Sequence, residues 1–385
     1  MLYSWLDWQR AGMEALLAAS RLATVATPLD GALHPPRELI GRALDATRPI
    51  PRPVETAVRR DVRFPIAVEQ VATTPFLRLV RLRGAATGRR FVLLAPHSGY
   101  AAAVVSPLLA GLLTLGEVLV TEWTDARLVP LAAGPFGLAD QVAACLHAVT
   151  LDGPPPHLVA LSQSGPAALA CAARLAADGR EAAPASLAFL GCQLDPRVSP
   201  SALQQALAGY PREALAQGLT AEVSGGQPGA GRRVYPALYQ FLAYGLASPA
   251  LYAEIQGGLL RELVTGRSGD YDRQHLDLHS LLDVPVGLFL DMLAWQLDRS
   301  PWRGETVLVG GTRYDTATLL GVPVFTLEAG ADELVGRGQS HALGSRLPQV
   351  RSVTLPGASH HDLFTGPGFA TGTAAALRRF YDGLP

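Results

Sequence analysis

Between Arg90 and Leu190 short apolar runs alternate with longer stretches of helical pattern. The runs are Arg90–Ala95, Glu117–Glu122, a run from His157 that stops at Ser162, and Ser186–Leu190, with helical patterns near 101–114, 138–149 and 165–178 between them. Runs this short and this apolar suit strands covered on both faces. A helix between two successive strands carries the chain back to the same end of the sheet, so the strands lie parallel. The pattern therefore predicts an α/β chain with a mostly parallel central sheet and helices on both faces. Two strand candidates in Phe64–Gly84 precede this block, and strands at Val322–Leu327 and Val350–Leu355 follow it, before a closing helix near 370–382.

The rhythm is interrupted once. From about Pro196 to Glu305 the strand signal fades and helical, aromatic-bearing segments replace it, such as Tyr235–Leu246 and Leu281–Leu297, after a glycine-rich turn at Ser224–Gly231. We therefore expect a core of residues 1–195 and 306–385 carrying a helical cap, or lid, of residues 196–305. Ahead of the core, residues 1–24 read as an amphipathic helix, with Trp5, Leu6, Met13, Leu16 and Leu17 on or near one face. Pro-rich residues 49–53 read as a linker.

Composition removes whole classes of chemistry. The 385 residues include no lysine and no asparagine, so a Walker lysine, a Schiff-base lysine and an asparagine-oriented histidine are all excluded. A formal net charge of −1 supplies no field for nucleic acid or an anionic membrane. Three scattered cysteines, Cys145, Cys171 and Cys192, lack metal or redox spacing and read as small buried hydrophobes. The N-terminus is a poor signal peptide because Asp7, Arg10 and Glu14 interrupt it, and no apolar run is long enough to span a bilayer. The expectation is a soluble cytoplasmic protein, of undetermined oligomeric state.

The run ending on Ser162 has small residues, Ala160 and Ser164, two positions to either side and a helix pattern after it. A nucleophilic serine on a strained strand-to-helix turn needs small neighbours at those two positions. Ser164 is the rival nucleophile, but it lies beyond the apolar run and would put Pro166 two residues on. An acid follows the late strand Val322–Leu327, where Asp332 is preferred to Glu333 and Glu328. Histidines follow the last strand, and His360 and His361 both qualify by spacing. Serine, acid, histidine is the chain order of the triad in α/β-hydrolases, and a helical cap between late strands is common on that fold. For the oxyanion, one donor is the backbone N–H of Gln163, and the other comes from the loop after Arg90–Ala95, at His97 or Ser98. No third ligand accompanies the vicinal histidines, so no metal site is expected.

Further segments carry a family resemblance. Trp123-Thr124-Asp125-Ala126-Arg127-Leu128-Val129-Pro130, Ala95-Pro96-His97-Ser98-Gly99, Gln193-Leu194-Asp195-Pro196-Arg197, Val234-Tyr235-Pro236 and Pro356-Gly357-Ala358-Ser359-His360 resemble the intracellular polyhydroxyalkanoate (polyhydroxybutyrate) depolymerases of the α/β-hydrolase superfamily. In that family a cysteine followed by Gln-Pro is the usual nucleophile; this chain has Ser162-Gln163-Ser164. The resemblance implies Ser162, Asp332 and His360 as the triad, with an aromatic position after the histidine taken by His361. It also implies hydrolysis of 3-hydroxyalkanoate esters, as polymer granules or oligomers, without metal or organic cofactor. A small-ester esterase, an acyltransferase or polyester synthase, and a silent granule-associated protein are the alternatives. Trp123, Tyr235, Tyr239 and His361 are candidate substrate contacts, though Asp125 and Arg127 equally suit a structural pair that pins their loop, and the cap aromatics equally suit helix packing.

Overall fold

The computed structural model describes residues 2–26, 53–86, 88–97, 105–265, 280–297, 301–366 and 368–384, with positions 37, 38, 40, 41, 44 and 271. The Pro-rich linker (apart from Pro53), Ser98, Gly99 and the start of the helix expected at 101 lie outside the described residues.

The first helix, α1, runs Leu2–Ala26, and α2 runs Val54–Asp61. The core then proceeds through β1 (Ala67–Thr74), β2 (Leu77–Arg83), β3 (Arg89–Leu94), α3 (Ser106–Leu113), β4 (Gly116–Trp123), α4 (Leu138–Thr150), β5 (His157–Leu161), α5 (Gly165–Ala177) and β6 (Ser186–Leu190). Helices α6 (Ala202–Ala208) and α7 (Arg212–Gly218) follow, then β7 (Ala221–Glu222), β8 (Arg233–Tyr235), α8 (Ala237–Ala247), α9 (Pro249–Thr265), β9 (Val284–Pro285) and α10 (Val286–Leu297). The chain closes through β10 (Trp302–Arg303), β11 (Thr306–Val309), β12 (Thr312–Asp315), β13 (Val324–Ala329), β14 (Val350–Leu355) and α11 (Ala375–Asp382).

Eight strands form the main sheet in the order β1-β2-β4-β3-β5-β6-β13-β14. Strand β2 is antiparallel to both its neighbours, and every other adjacent pair is parallel. The hairpin β1–β2 needs only a tight turn, whereas each parallel step needs a crossover. Three central strands are apolar and buried on both faces: β6 is buried at every position, and Phe91–Leu94 of β3 and Leu158–Leu161 of β5 likewise. Strand β14, at the edge, has no buried residue. This strand order, with one antiparallel strand second from the edge and crossover helices between the rest, is the α/β-hydrolase fold.

The stretch between β6 and β13 contains more strand than its sequence pattern suggests. Two small antiparallel sheets occur there, β7-β8-β9 and β10-β11-β12. Their strands are only two to four residues long, too short for a period of two to show in the sequence. Tyr235 accordingly sits on β8 rather than in the helix that begins at Ala237.

Helix α1 has its apolar sides arranged differently from the single face expected. Tyr3 is buried and Leu6 packs beside Ala126, Val223 and Val234, while Asp7 accepts a hydrogen bond from Ser224 Oγ at 2.8 Å. At 100° per residue the charged positions Asp7, Arg10, Glu14 and Arg21 share a side, and Trp5, Trp8, Gly12, Ala15, Leu16, Ala19 and Leu22 share another. All of that second group is exposed, Trp8 by 74% and Leu22 by 72%. The uncharged, tryptophan-bearing side of α1 thus faces outward.

Candidate active site

Strand β5 ends at Leu161, one tight turn covers Ser162–Ser164, and α5 begins at Gly165. Ser162 has φ 48°, the left-handed region that a residue with a Cβ adopts only when its surroundings impose it. What imposes it is visible at Ser164. Its buried hydroxyl lies 2.7 Å from the Leu94 carbonyl and 2.9 Å from both the N–H and the carbonyl of Leu161, tying the turn to the ends of β3 and β5. Ser164 is thereby committed to holding the elbow, which leaves Ser162 at its tip. Gly165 permits close packing underneath: a Cβ there would lie 2.7 Å from Cys192 Cβ. Cys192 itself is fully buried against the elbow, with its thiol 3.4 Å from the Ala160 carbonyl, and burial pushes the thiol pKa up.

His360 and Asp332 come to the serine from the loops after β14 and β13. His360 Nε2 is 3.0 Å from Ser162 Oγ, and His360 Nδ1 is 2.7 Å from Asp332 Oδ2. The other carboxylate oxygen, Asp332 Oδ1, accepts the backbone N–H groups of Leu334 and Val335 at 2.9 and 2.8 Å. The aspartate is therefore anchored by its own loop before it meets the imidazole. Space for the ring comes from Gly191, whose φ of 57° turns the chain at the end of β6 and where a Cβ would lie 3.0 Å from His360 Cε1. Burial by itself pulls the His360 pKa down; the Asp332 carboxylate, by charge and hydrogen bond, and then the Glu333 charge outweigh it, so the net shift is upward. Glu333 also accepts the His360 backbone N–H at 3.2 Å and the Ser248 hydroxyl at 3.1 Å. Glu328, the remaining acid candidate, is turned to structure: it accepts the N–H groups of Gly338, Ser340 and His341 at 2.7 to 3.0 Å.

A cavity of about 250 Å³ opens over the serine. Its floor includes Pro96, Ser162, Gln163 and His360, and its walls come from α6, β8, α8, α10 and Leu334. The walls are mainly aliphatic and aromatic, with no carboxylate or guanidinium among the described residues that line them. Tyr235 and Tyr239 both line it, Tyr235 stacked on Phe289 at 4.3 Å with its phenol pKa raised to about 12 by burial.

Trp123 and His361 fall outside that wall. Trp123 is buried and donates its indole N–H to the Ala95 carbonyl at 2.7 Å, which steadies the chain where β3 ends. Burial lowers the His361 pKa to about 4. The His97 side chain is also absent from the wall. It is fully buried, stacked on Trp123 at 5.1 Å, with its pKa lowered by burial to about 3. Ser98 lies outside the described residues.

The Trp123–Pro130 segment has its own charged centre. Asp125 accepts the Arg127 N–H at 2.9 Å and its guanidinium at 3.2 Å, and Asp283 lies 3.3 Å from Arg127 Nε. Asp283 also accepts the Tyr3 hydroxyl of α1 and, at 2.7 Å, the Ala237 N–H that opens α8. Burial, and next the Asp283 charge, raise the Asp125 pKa to about 7. This cluster joins α1, the loop after β4 and the start of α8, and none of its four side chains lines the cavity. Spacing in the sequence pairs Asp125 with Arg127 but carries no signal for Tyr3 or Asp283.

An eight-stranded sheet in this order, with a serine on the turn after a central strand, defines the chain as a hydrolase of the α/β-hydrolase fold. Residues 191–384 match the sequence profile of the family described as PHB de-polymerase C-terminus, and the chain belongs to that family. Among solved structures it is similar to the 2-hydroxy-6-oxo-6-phenylhexa-2,4-dienoate hydrolase of Rhodococcus sp. strain RHA1, at 12% identity, 83% coverage of this chain, 100% of that one and TM-score 0.49. It is also similar to naproxen esterase (carboxylesterase NP) of Bacillus subtilis, at 12% identity, 85% and 95% coverage and TM-score 0.46. A serine hydrolase of the polyaromatic-hydrocarbon-degrading bacterium Cycloclasticus zankles is similar at 12% identity, 83% and 99% coverage and TM-score 0.45. Comparison with curated proteins finds no match.

Proposed function

We propose that the chain hydrolyses ester bonds of poly- or oligo-3-hydroxyalkanoates through an acyl-enzyme on Ser162. The observation that carries this reading is the unbroken hydrogen-bonded sequence Asp332–His360–Ser162 ending at the floor of an apolar cavity. His360 Nε2 takes the hydroxyl proton as Ser162 Oγ bonds to the ester carbonyl carbon, and Asp332 holds the ring and its charge. Collapse of the tetrahedral intermediate breaks the carbon–oxygen bond of the ester, and His360 returns the proton to the departing hydroxyl. A water deprotonated by His360 then attacks the acyl carbon, and the Ser162–acyl bond breaks as His360 returns that proton to Ser162 Oγ, releasing the 3-hydroxy acid. The Gln163 N–H is assigned to the oxyanion, with a second donor from the backbone at His97 or Ser98. No step requires a cofactor.

A fluorophosphonate probe tests the nucleophile. Wild type should label and Ser162→Ala should not; equal labelling of both would remove Ser162 from the mechanism. The modest cavity supports a second reading, an esterase of short acyl esters. Polymer particles, soluble 3-hydroxybutyrate trimers and simple 4-nitrophenyl esters, assayed side by side, separate the two. Activity confined to the simple esters would favour the esterase.

For polymer as substrate, a cytoplasmic location at granules follows, and the outward side of α1 is the proposed contact. Interfacial helices that seek anionic lipid are rich in Lys and Arg on their polar face and pair that charge with an apolar side. Here the exposed tryptophan-bearing side is uncharged and the charged side balances Asp7 and Glu14 against Arg10 and Arg21, which suits a neutral polyester. Trp5→Ser with Trp8→Ser should reduce co-sedimentation with amorphous polyhydroxybutyrate particles several-fold and leave soluble-ester hydrolysis unchanged; undiminished co-sedimentation would dismiss α1 as the contact.

A further inference from the structure

We propose that the Gln193–Gln296 amide pair recognises the oxygen on the third carbon of the acyl group, making the site selective for 3-oxygenated acyl esters over plain alkyl esters; the inference rests on the ester-hydrolase reading of the same cavity. Gln193 follows Gly191 and Cys192 at the end of β6, and Gln296 belongs to the last turn of α10. Both line the cavity that holds Ser162. The Cys192 thiol bond to the Ala160 carbonyl ties this segment to the elbow, two residues before the serine.

Gln193 is held from two directions by α10. Its backbone carbonyl accepts the Trp295 indole N–H at 2.7 Å, and its side-chain oxygen accepts from Gln296 Nε2 at 2.7 Å. One bond between two amides uses one donor group and one acceptor. Exchanging the nitrogen and oxygen of both amides reverses the direction of that bond and changes nothing else. In either arrangement one amide keeps its NH2 and the other its carbonyl, next to each other in the cavity wall.

Two other glutamines of the wall, Gln204 and Gln240, are differently employed. Gln204 accepts from Ser201 N at 2.7 Å and from Gln339 Nε2 at 2.8 Å. Gln240 donates to the Leu282 carbonyl at 2.8 Å. The Gln193–Gln296 pair therefore presents an adjacent donor and acceptor within a chamber that is otherwise mainly apolar. A plain alkyl chain offers nothing to either group and would bury them unmatched. A 3-hydroxyl offers both a donor and an acceptor, and in an oligomer the ester oxygen and carbonyl of the neighbouring unit occupy the same region. Sites that hydrogen-bond a substrate hydroxyl discriminate against the analogue lacking it far more strongly than apolar pockets discriminate by size.

The test compares kcat/KM for the 4-nitrophenyl esters of butyrate and of 3-hydroxybutyrate, using the full chain. Wild type should prefer the 3-hydroxy ester. Gln193→Met and Gln296→Met should each lose roughly tenfold or more on the 3-hydroxy ester while changing butyrate hydrolysis by less than about twofold. Because the two amides act as one unit, the double variant should lose little more than either single one. Equal losses on both esters, or no loss on the 3-hydroxy ester, would overturn the inference while leaving Ser162-dependent hydrolysis standing. Cleavage of neither ester by wild type would overturn the ester-hydrolase reading and this inference with it. Should Gln193→Met fail to fold, the less enclosed Gln296→Met decides the question alone.

Discussion

Two buried aspartate clusters in this molecule are built from similar parts and end differently. Asp332 and His360 are nearly inaccessible, and so are Asp125, Arg127 and Asp283. In the first cluster the carboxylate is satisfied by two backbone N–H groups and an imidazole, and the imidazole's far nitrogen reaches a serine at a cavity. In the second, every partner is internal: a tyrosine hydroxyl, a guanidinium and the first N–H of a helix. A buried charge network becomes a candidate site only where its chain of hydrogen bonds terminates on something a ligand can touch. The Trp123–Pro130 motif shows the converse, since its charged residues clamp three elements together without reaching the cavity.

That contrast can be broken by substitution. The largest effect is expected at Asp332→Asn, which keeps the shape but favours the wrong imidazole tautomer; kcat should fall roughly 10⁴-fold with little change in melting temperature. Initial rates and thermal melts measured together check it, and a large loss of stability with modest loss of rate would merge the two clusters into one class. Next comes Asp283→Ala, which strips Arg127 of one of its two counter-charges and leaves the Ala237 N–H without its carboxylate acceptor. Removing one partner of a buried ion pair costs about 3–5 kcal/mol. Urea denaturation should register that cost while the rate of the folded fraction stays near wild type; a rate loss exceeding the stability loss would show that the clamp also shapes the site.

The smallest effect sharpens the comparison within the first cluster. In the proposed mechanism the neutral imidazole is the base, so activity should rise with pH through the His360 pKa, which Asp332 and Glu333 hold above its ordinary 6.5 against the downward pull of burial. Glu333→Gln keeps an acceptor for the His360 N–H but removes the charge. The acid limb of kcat/KM should therefore move to lower pH, with the plateau altered only a few-fold. An unmoved limb would mean that Glu333 acts on His360 through its backbone contact alone.

Much of the sheet was legible in the chain. Ser186–Leu190 and Val350–Leu355 are strands over the residues expected, the first as a short apolar run bounded by turn residues, the second as a short run with β-branched valine and threonine. The elbow was legible for a steric reason: a strand cannot reverse into a helix within three residues unless its flanks are small. Ser164 was less so. Its place two positions after Ser162 marks it as a small residue, but its hydroxyl bridge to Leu94 depends on β3 lying alongside β5. The strands of the two small sheets escaped notice because two to four residues carry no measurable period. Trp123 read as a possible cavity residue, and only the approach of Ala95 explains its indole's actual use.

What the sequence determined by itself is therefore local and ordered: the alternation that makes a parallel sheet, the small residues around Ser162, and the succession of serine, acid and histidine. Those follow from steric and periodic rules that act over a few residues. What the tertiary structure decided is every relation between distant positions. It brought His360 to Ser162 across 198 residues, Asp283 to Tyr3 across 280, and Gln296 to Gln193 across 103. Hydrogen bonds of that span carry no signature in the local pattern, because which groups meet is set by how helices and loops pack over the sheet.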